Sequence, residues 1–154
     1  MRLPAAAWGV VKEAARHLLR RPVVGLVAYA HTPDGRVLLV RRGDTGEWAM
    51  PGGTLEWGET LRALVPRELD EEAGADVLGE PRLVGVYSAP HRDLRFHAVT
   101  VVVDALVSEP RRPPRNPLEI LEARLFSPAA LPATLAHGMA DVLAAARAGE
   151  LRWE

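Results

Sequence analysis

The sequence predicts an α+β domain, a mixed β-sheet with helices packed on it. Three observations carry this. Short runs rich in β-branched residues, such as Val23–Ala30 and Ala98–Val107, read as strands. They are separated by segments of helical period at 59–73 and 128–148. Finally, 154 residues fit one domain with a single core.

In chain order, Trp8, Val11, Ala15, Leu18 and Leu19 recur at helical spacing beside Arg16, Arg20 and Arg21. They predict an amphipathic helix over 5–19, ended by Pro22, so that residues 1–21 form an N-terminal helix and 22–154 the main domain. Its apolar face suits packing on the domain or on a second subunit, and its basic character also admits a membrane surface. Lys12 and Glu13 cut the apolar stretch short, so neither a signal peptide nor a membrane span is expected. Val23–Ala30 and Val37–Val40, joined by Thr32-Pro33-Asp34-Gly35, read as a hairpin. Trp48–Met50 reads as a short extended piece before Pro51-Gly52-Gly53. The helix over 59–73 closes on Gly74 as its C-cap. Leu83–Tyr87 is a strand, and Ala98–Val107 is apolar enough to be central in the sheet. Glu109–Pro117, with four prolines and three arginines, is a loop; Glu122–Phe126 is a last strand and 128–148 an Ala-rich helix.

Composition excludes several chemistries. No cysteine is present, so disulfides, thiolate catalysis and sulfur-ligated zinc are ruled out. With 19 basic against 20 acidic residues the net charge is −1, which argues against nucleic-acid binding driven by overall charge. Lys12 is the sole lysine, so the positive charge is almost wholly arginine.

The acidic end of the 59–73 helix is the most informative segment. Glu68, Glu71 and Glu72 share one arc of a helix, in line with Leu61, Leu64 and Val65. A solvated face would lie opposite the apolar stripe instead. Like charges at this spacing cost about 0.2–0.5 kcal/mol per pair, and acids near a helix C-terminus oppose its dipole. A hard divalent cation relieves both. Arg67 offers a competing explanation as an i,i+4 partner of Glu71.

Gly53, five residues, Glu59, seven residues, then Arg67-Glu68-Leu69-x-Glu71-Glu72-x-Gly74 resembles the Nudix box at every fixed position. The resemblance implies a Nudix α/β/α sandwich, a mixed β-sheet between helices. It also implies Mg²⁺ or Mn²⁺ as cofactor and hydrolysis of a nucleoside diphosphate linked to another group. Carried over residue by residue, Glu68 and Glu72 are the principal metal ligands. The Gly52 carbonyl joins them, and Glu71 is a ligand or the water-activating base. Arg67 orients a glutamate, Glu59 anchors the loop or holds a water, and Gly53 and Gly74 permit the loop conformations. Pro66 departs from a regular helix and predicts a kink or a restart there. Ala75 is small for the last apolar position of the box.

Tyr87-Ser88-Ala89-Pro90-His91-Arg92-Asp93-Leu94-Arg95-Phe96-His97 resembles a segment of ADP-ribose pyrophosphatase-like Nudix proteins, with Leu94 and Phe96 replacing a proline and a glycine. It makes Arg92 and Arg95 candidate phosphate contacts, against a solvent-facing Arg92–Asp93 loop. Arg41 is a further phosphate candidate, Trp48 can stack on a base, and Glu119 is a second candidate base. The expectation is a cytoplasmic Mg²⁺-dependent pyrophosphohydrolase of ADP-ribose or a nucleotide sugar. It takes a small-molecule nucleotide, binds no nucleic acid or membrane, and admits a homodimer. The alternatives are a house-cleaning hydrolase of nucleoside triphosphates, oxidised ones included, and a non-catalytic nucleotide sensor.

Overall fold

The computed structural model describes residues 9, 10, 12, 13, 15, 21–93 and 95–154. Gly9, Val10, Lys12, Glu13 and Ala15 are helical; the rest of the helix expected over 5–19 lies outside the described residues. From Val23 onward the described residues form eight strands and two α-helices. The strands are β1 (Val23–His31), β2 (Val37–Arg42), β3 (Trp48–Ala49), β4 (Gly52–Thr54), β5 (Arg82–Tyr87), β6 (Ala98–Leu106), β7 (Ile120–Phe126) and β8 (Arg152–Trp153). The helices are α1 (Leu61–Ala73) and α2 (Ala140–Arg147).

The strands make one mixed sheet in the order β3-β2-β1-β6-β5-β8, with β4 added on β1 and β7 on β2. β6 lies inside the sheet, as its unbroken apolar character requires. It runs parallel to β1 along the full length of both, from Val23↔Ala98 to His31↔Leu106. Alternating side chains then feed two cores. Leu26, Ala28, Ala30, Val101 and Val103 pack under α1 with Leu64, Val65 and Leu69. Val37, Leu39 and Val102 pack on the other face with Val142, Leu143 and Ala146 of α2. A sheet buried on both faces by helices is the expected α/β/α sandwich. Among the described residues no helix is long and apolar enough to cross a membrane.

Several local expectations need correction. The hairpin turn forms, with Gly35 at φ +83° and its N–H on the Thr32 carbonyl. Yet β1 meets β2 only at His31↔Val37, because β4 takes the β1 edge over Gly25–Val27. The strands β4 and β8 were not expected. Two glycines carry no strand propensity, and a two-residue strand carries no period. The helix expected over 128–148 is broken into two 3₁₀ turns, Pro128–Ala130 and Ala136–Gly138, followed by α2. His137 and Gly138 both have positive φ, 58° and 65°, which no right-handed helix accepts.

α1 begins two residues beyond Glu59 because Thr60 is its N-cap, accepting the Ala63 N–H at 3.2 Å. It ends on Gly74 at φ 59°. Pro66 does not restart it: the helix continues as one element, with Pro66 exposed. The missing N–H removes one i→i−4 hydrogen bond from the exposed side of the helix. Pro66→Ala restores that bond and should raise the unfolding free energy by roughly 1–3 kcal/mol, read as a higher urea midpoint at unchanged slope. A lower midpoint would mean that α1 depends on the proline.

Candidate active site

Three elements converge on the acidic end of α1. The helix turns its stripe of Leu64, Val65, Leu69 and Ala73 into the core, and Glu72 continues that stripe at only 6% exposure. Burying a carboxylate is costly unless a donor reaches it. The donor comes from β4: the Gly52 N–H points at Glu72 Oε2 from 2.8 Å. Strand and helix approach this closely because neither glycine of β4 carries a side chain. A Cβ on Gly52 would collide with the Leu26 carbonyl of β1, and one on Gly53 with the Glu68 carboxylate.

Arg67 gathers the other acids. It donates to both oxygens of Glu59, Nε to Oε1 at 2.7 Å and Nη2 to Oε2 at 3.0 Å. Its Nη1 lies 2.9 Å from Glu68 Oε1 and 3.3 Å from Glu71 Oε2. Glu59 also accepts the Glu56 N–H, which ties the loop before α1 to the helix. Its carboxyl is held below the usual range by Arg67. Burial pushes Glu68 upward, opposed by Arg67. Burial also pushes Glu72 up to about 8, against the Gly52 hydrogen bond, with Glu68 adding repulsion.

The loop between β6 and β7 closes the helix end. The Arg111 N–H donates to the Gly74 carbonyl at 3.0 Å and the Arg115 N–H to the Glu71 carbonyl at 2.8 Å. Arg112 and Arg115 pair with Asp70, and Arg111 with Asp76. These arginines supply the positive charge that the last turn of α1 lacks. The same loop runs on to Glu119, whose carbonyl accepts the Gly43 N–H at 2.7 Å. Glu68, Glu71 and Glu119 line one open cavity of about 560 Å³, together with Gly52 and Gly53. That volume suits a small-molecule site.

An acidic helix end beneath a double-glycine strand is thus joined to a nucleotide-sized cavity, and the sequence matches the NUDIX domain over residues 19–146. The chain belongs to the NUDIX family. An ADP-ribose pyrophosphatase of Methanocaldococcus jannaschii is 42% identical over 72 residues, 45% of this chain and 42% of that protein. A MutT-like protein of Streptomyces ambofaciens is 46% identical over 61 residues, 40% of this chain and 39% of that protein. The chain therefore matches about two-fifths of the length of these relatives. A crystal structure of a MutT NUDIX hydrolase from Burkholderia pseudomallei superposes with a TM-score of 0.68 at 32% identity, covering 81% of this chain and 98% of that one. The NUDIX domain of Shewanella oneidensis NrtR, crystallised with ADP ribose, shares the fold at a TM-score of 0.70 and 20% identity, covering 95% and 98%.

The other residues singled out in this NUDIX chain are distributed unevenly. Arg95 lines the cavity, bound to Asp93 at 2.8 Å. Arg92 instead ties the chain end to α2, through Glu154 at 2.8 Å and Asp141 at 3.1 Å, and lies over the Tyr87 ring. Arg41 and Trp48 lie outside the cavity wall. They face each other across β2 and β3, Arg41 pairing with Glu122 at 3.1 Å and Trp48 packing edge-on against Phe126. Arg42, the next residue and so on the opposite face of β2, lines the cavity instead. Asp93 and His137 also line it and were not anticipated. His137 stood in a stretch of helical period.

Every candidate ligand is a hard oxygen donor, the set that Mg²⁺ or Mn²⁺ prefers. As placed, Glu68 and Glu71 face Arg67, and among the described residues no group of three or more His, Asp or Glu side chains is disposed to hold a metal ion. The buried Glu72, repelled by Glu68 and Glu119 and met by one amide, fits a cation in chemistry. Taking one up requires Glu68 and Glu71 to exchange Arg67 for it.

The raised Glu72 carboxyl has a consequence for stability. The metal-free folded chain keeps this proton up to about pH 8, whereas the unfolded chain loses it near its ordinary value of 4.5. The contribution is complete below pH 4.5 and lost as pH rises through 8. Melting in EDTA should therefore show stability falling between pH 5 and 8, by on the order of 3 kcal/mol. Glu72→Gln should flatten the slope, and an unchanged slope would refute the assignment.

Proposed function

We propose that this chain is a divalent-metal-dependent pyrophosphohydrolase of nucleoside diphosphates linked to another moiety, with ADP-ribose or a nucleotide sugar as substrate. The observation that carries this is the buried Glu72 carboxyl group at the same helix end as Glu68 and Glu71, which line a cavity of about 560 Å³. The relative named ADP-ribose pyrophosphatase supports the substrate. In this reading Glu68, Glu72 and the Gly52 carbonyl hold Mg²⁺ or Mn²⁺, with Glu71 as a further ligand or as the base. Such an ion offsets the charge of a pyrophosphate and aids attack on one phosphorus. Arg67, through its bonds to Glu59, Glu68 and Glu71, is a positioning residue that keeps the carboxylates in register. Glu119, entering from the β6–β7 loop, is the second group able to take a proton from the attacking water. Water adds across one P–O–P linkage, and two phosphate monoesters leave.

A second reading, hydrolysis of nucleoside triphosphates, is favoured by the MutT-like relative. A panel of ADP-ribose, other nucleotide sugars and nucleoside triphosphates, assayed with Mg²⁺, separates the two. The first reading expects the highest kcat/KM on ADP-ribose or a nucleotide sugar, loss of turnover in EDTA and recovery on adding Mg²⁺. Glu72→Gln should lower kcat by about 10²–10⁴-fold. A rate within about twofold of the unmodified chain would refute the metal site, since losing a true metal ligand costs far more.

A further inference from the structure

A recess of about 20 Å³ adjoins the main cavity, its wall including Tyr87, Arg92, Asp93, Thr100, His137 and Met139. Asp93, Thr100, His137 and Met139 line the main cavity as well, so the two spaces share a wall. Two independent features single out His137. Among the described residues it is the one non-glycine residue with positive φ, at φ 58°, a conformation that costs energy and is kept where the surroundings demand it. Its Nε2 is shielded from solvent without a hydrogen-bond partner, a state shared among the described residues only by Arg41 Nε. A shielded, unpaired ring nitrogen is expensive, and a ligand group is one way to satisfy it.

We propose that this recess receives a hydroxyl of the terminal sugar of a nucleoside diphosphate sugar, with His137 as its hydrogen-bonding partner. The inference rests on reading the cavity as a nucleoside-diphosphate site and adds which end of the substrate lies where. Size sets the first limit. A space of about 10–15 Å³ holds one water, so a recess of 20 Å³ takes one small polar group and excludes a nucleobase. A recess this small takes a single protruding hydroxyl, and AMP, which carries only the internal ribose, separates the two sugars as its source.

Charge sets the second limit. Arg95 is bound to Asp93 at 2.8 and 3.0 Å, Arg92 to Glu154 and Asp141, and Arg42 to Asp44 at 2.9 Å. The neighbouring arginines are compensated, so this end suits a neutral group better than a phosphate. Burial, then Arg95 and Arg42, lowers the His137 pKa and keeps the ring neutral, with one nitrogen donating and the other accepting. A hydroxyl matches either role.

Calorimetric titration of the metal-free protein in EDTA, with ADP-ribose and with AMP, tests this. His137→Gly removes the ring and suits the positive φ, so its melting temperature should be unchanged or higher. Its Kd for ADP-ribose should rise about tenfold, with AMP within about twofold. His137→Asn, which tolerates this backbone and keeps polar atoms, should recover part of the loss. Equal weakening of both ligands, no weakening of either, or no binding of ADP-ribose to the unmodified chain would each overturn the proposal. The hydrolysis panel stands apart: a chain that cleaves nothing yet binds in this pattern retains the recess and loses the enzymatic reading.

Discussion

A carboxyl group is buried on the core-facing side of a helix with a backbone amide aimed at it. The Gly52 N–H and Glu72 Oε2 meet at 2.8 Å, and much of the architecture exists to allow that distance. β4 must press on β1 and α1 at once, which two residues without side chains permit. β1 must be rigid enough to serve as the platform, and its long parallel pairing with β6 supplies this. α1 must run unbroken from Thr60 to Gly74, so that Leu64, Val65 and Leu69 anchor the same stripe that Glu72 ends. The helix alone would hide this group in the core, and β4 brings it a hydrogen-bond donor.

The charges follow the same logic at longer range. A net charge of −1 conceals opposed patches: residues 1–21 carry five basic residues and one acid, and residues 56–72 six acids and two arginines. The acids of α1 are not left to repel one another. Arg67 gathers Glu59, Glu68 and Glu71 from within the motif. Arg111, Arg112 and Arg115 neutralise the flanking Asp70 and Asp76 from another loop. These loop arginines answer the adverse helix dipole, so the arginine richness of the chain has a structural use at these positions. The cavity consequently has one end rich in carboxylates and another, at Arg42, Asp93 and Arg95, where opposite charges already cancel.

Much of this was legible before any coordinates. Glu68, Glu71 and Glu72 share a helix face because their spacing is short, and helix geometry translates short spacing directly into direction. Gly74 as C-cap, the buried course of β6 and the loop at 109–117 are likewise properties of a few adjacent residues. Arg41 shows where such reasoning stops. Its own face of β2 turns it to Glu122, and Arg42 on the opposite face lines the cavity, a choice of side that depends on where the helices pack. Trp48 looks like a stacking platform until Phe126 packs against it in a T and Arg124 lies over its ring. His137 lay in an alanine-rich stretch of helical period, and only the packing of the segment before α2 revealed its strained backbone.

By itself the sequence determined the family, the acidic helix and the kind of ion its oxygens prefer, since all three are written in local spacing and side-chain chemistry. The tertiary structure decided which amide meets Glu72, which arginines are already paired, and which residues wall the cavity and its recess. Those outcomes depend on contacts between segments far apart in the chain, through sheet order, register and bulges. No window of neighbouring residues contains that information.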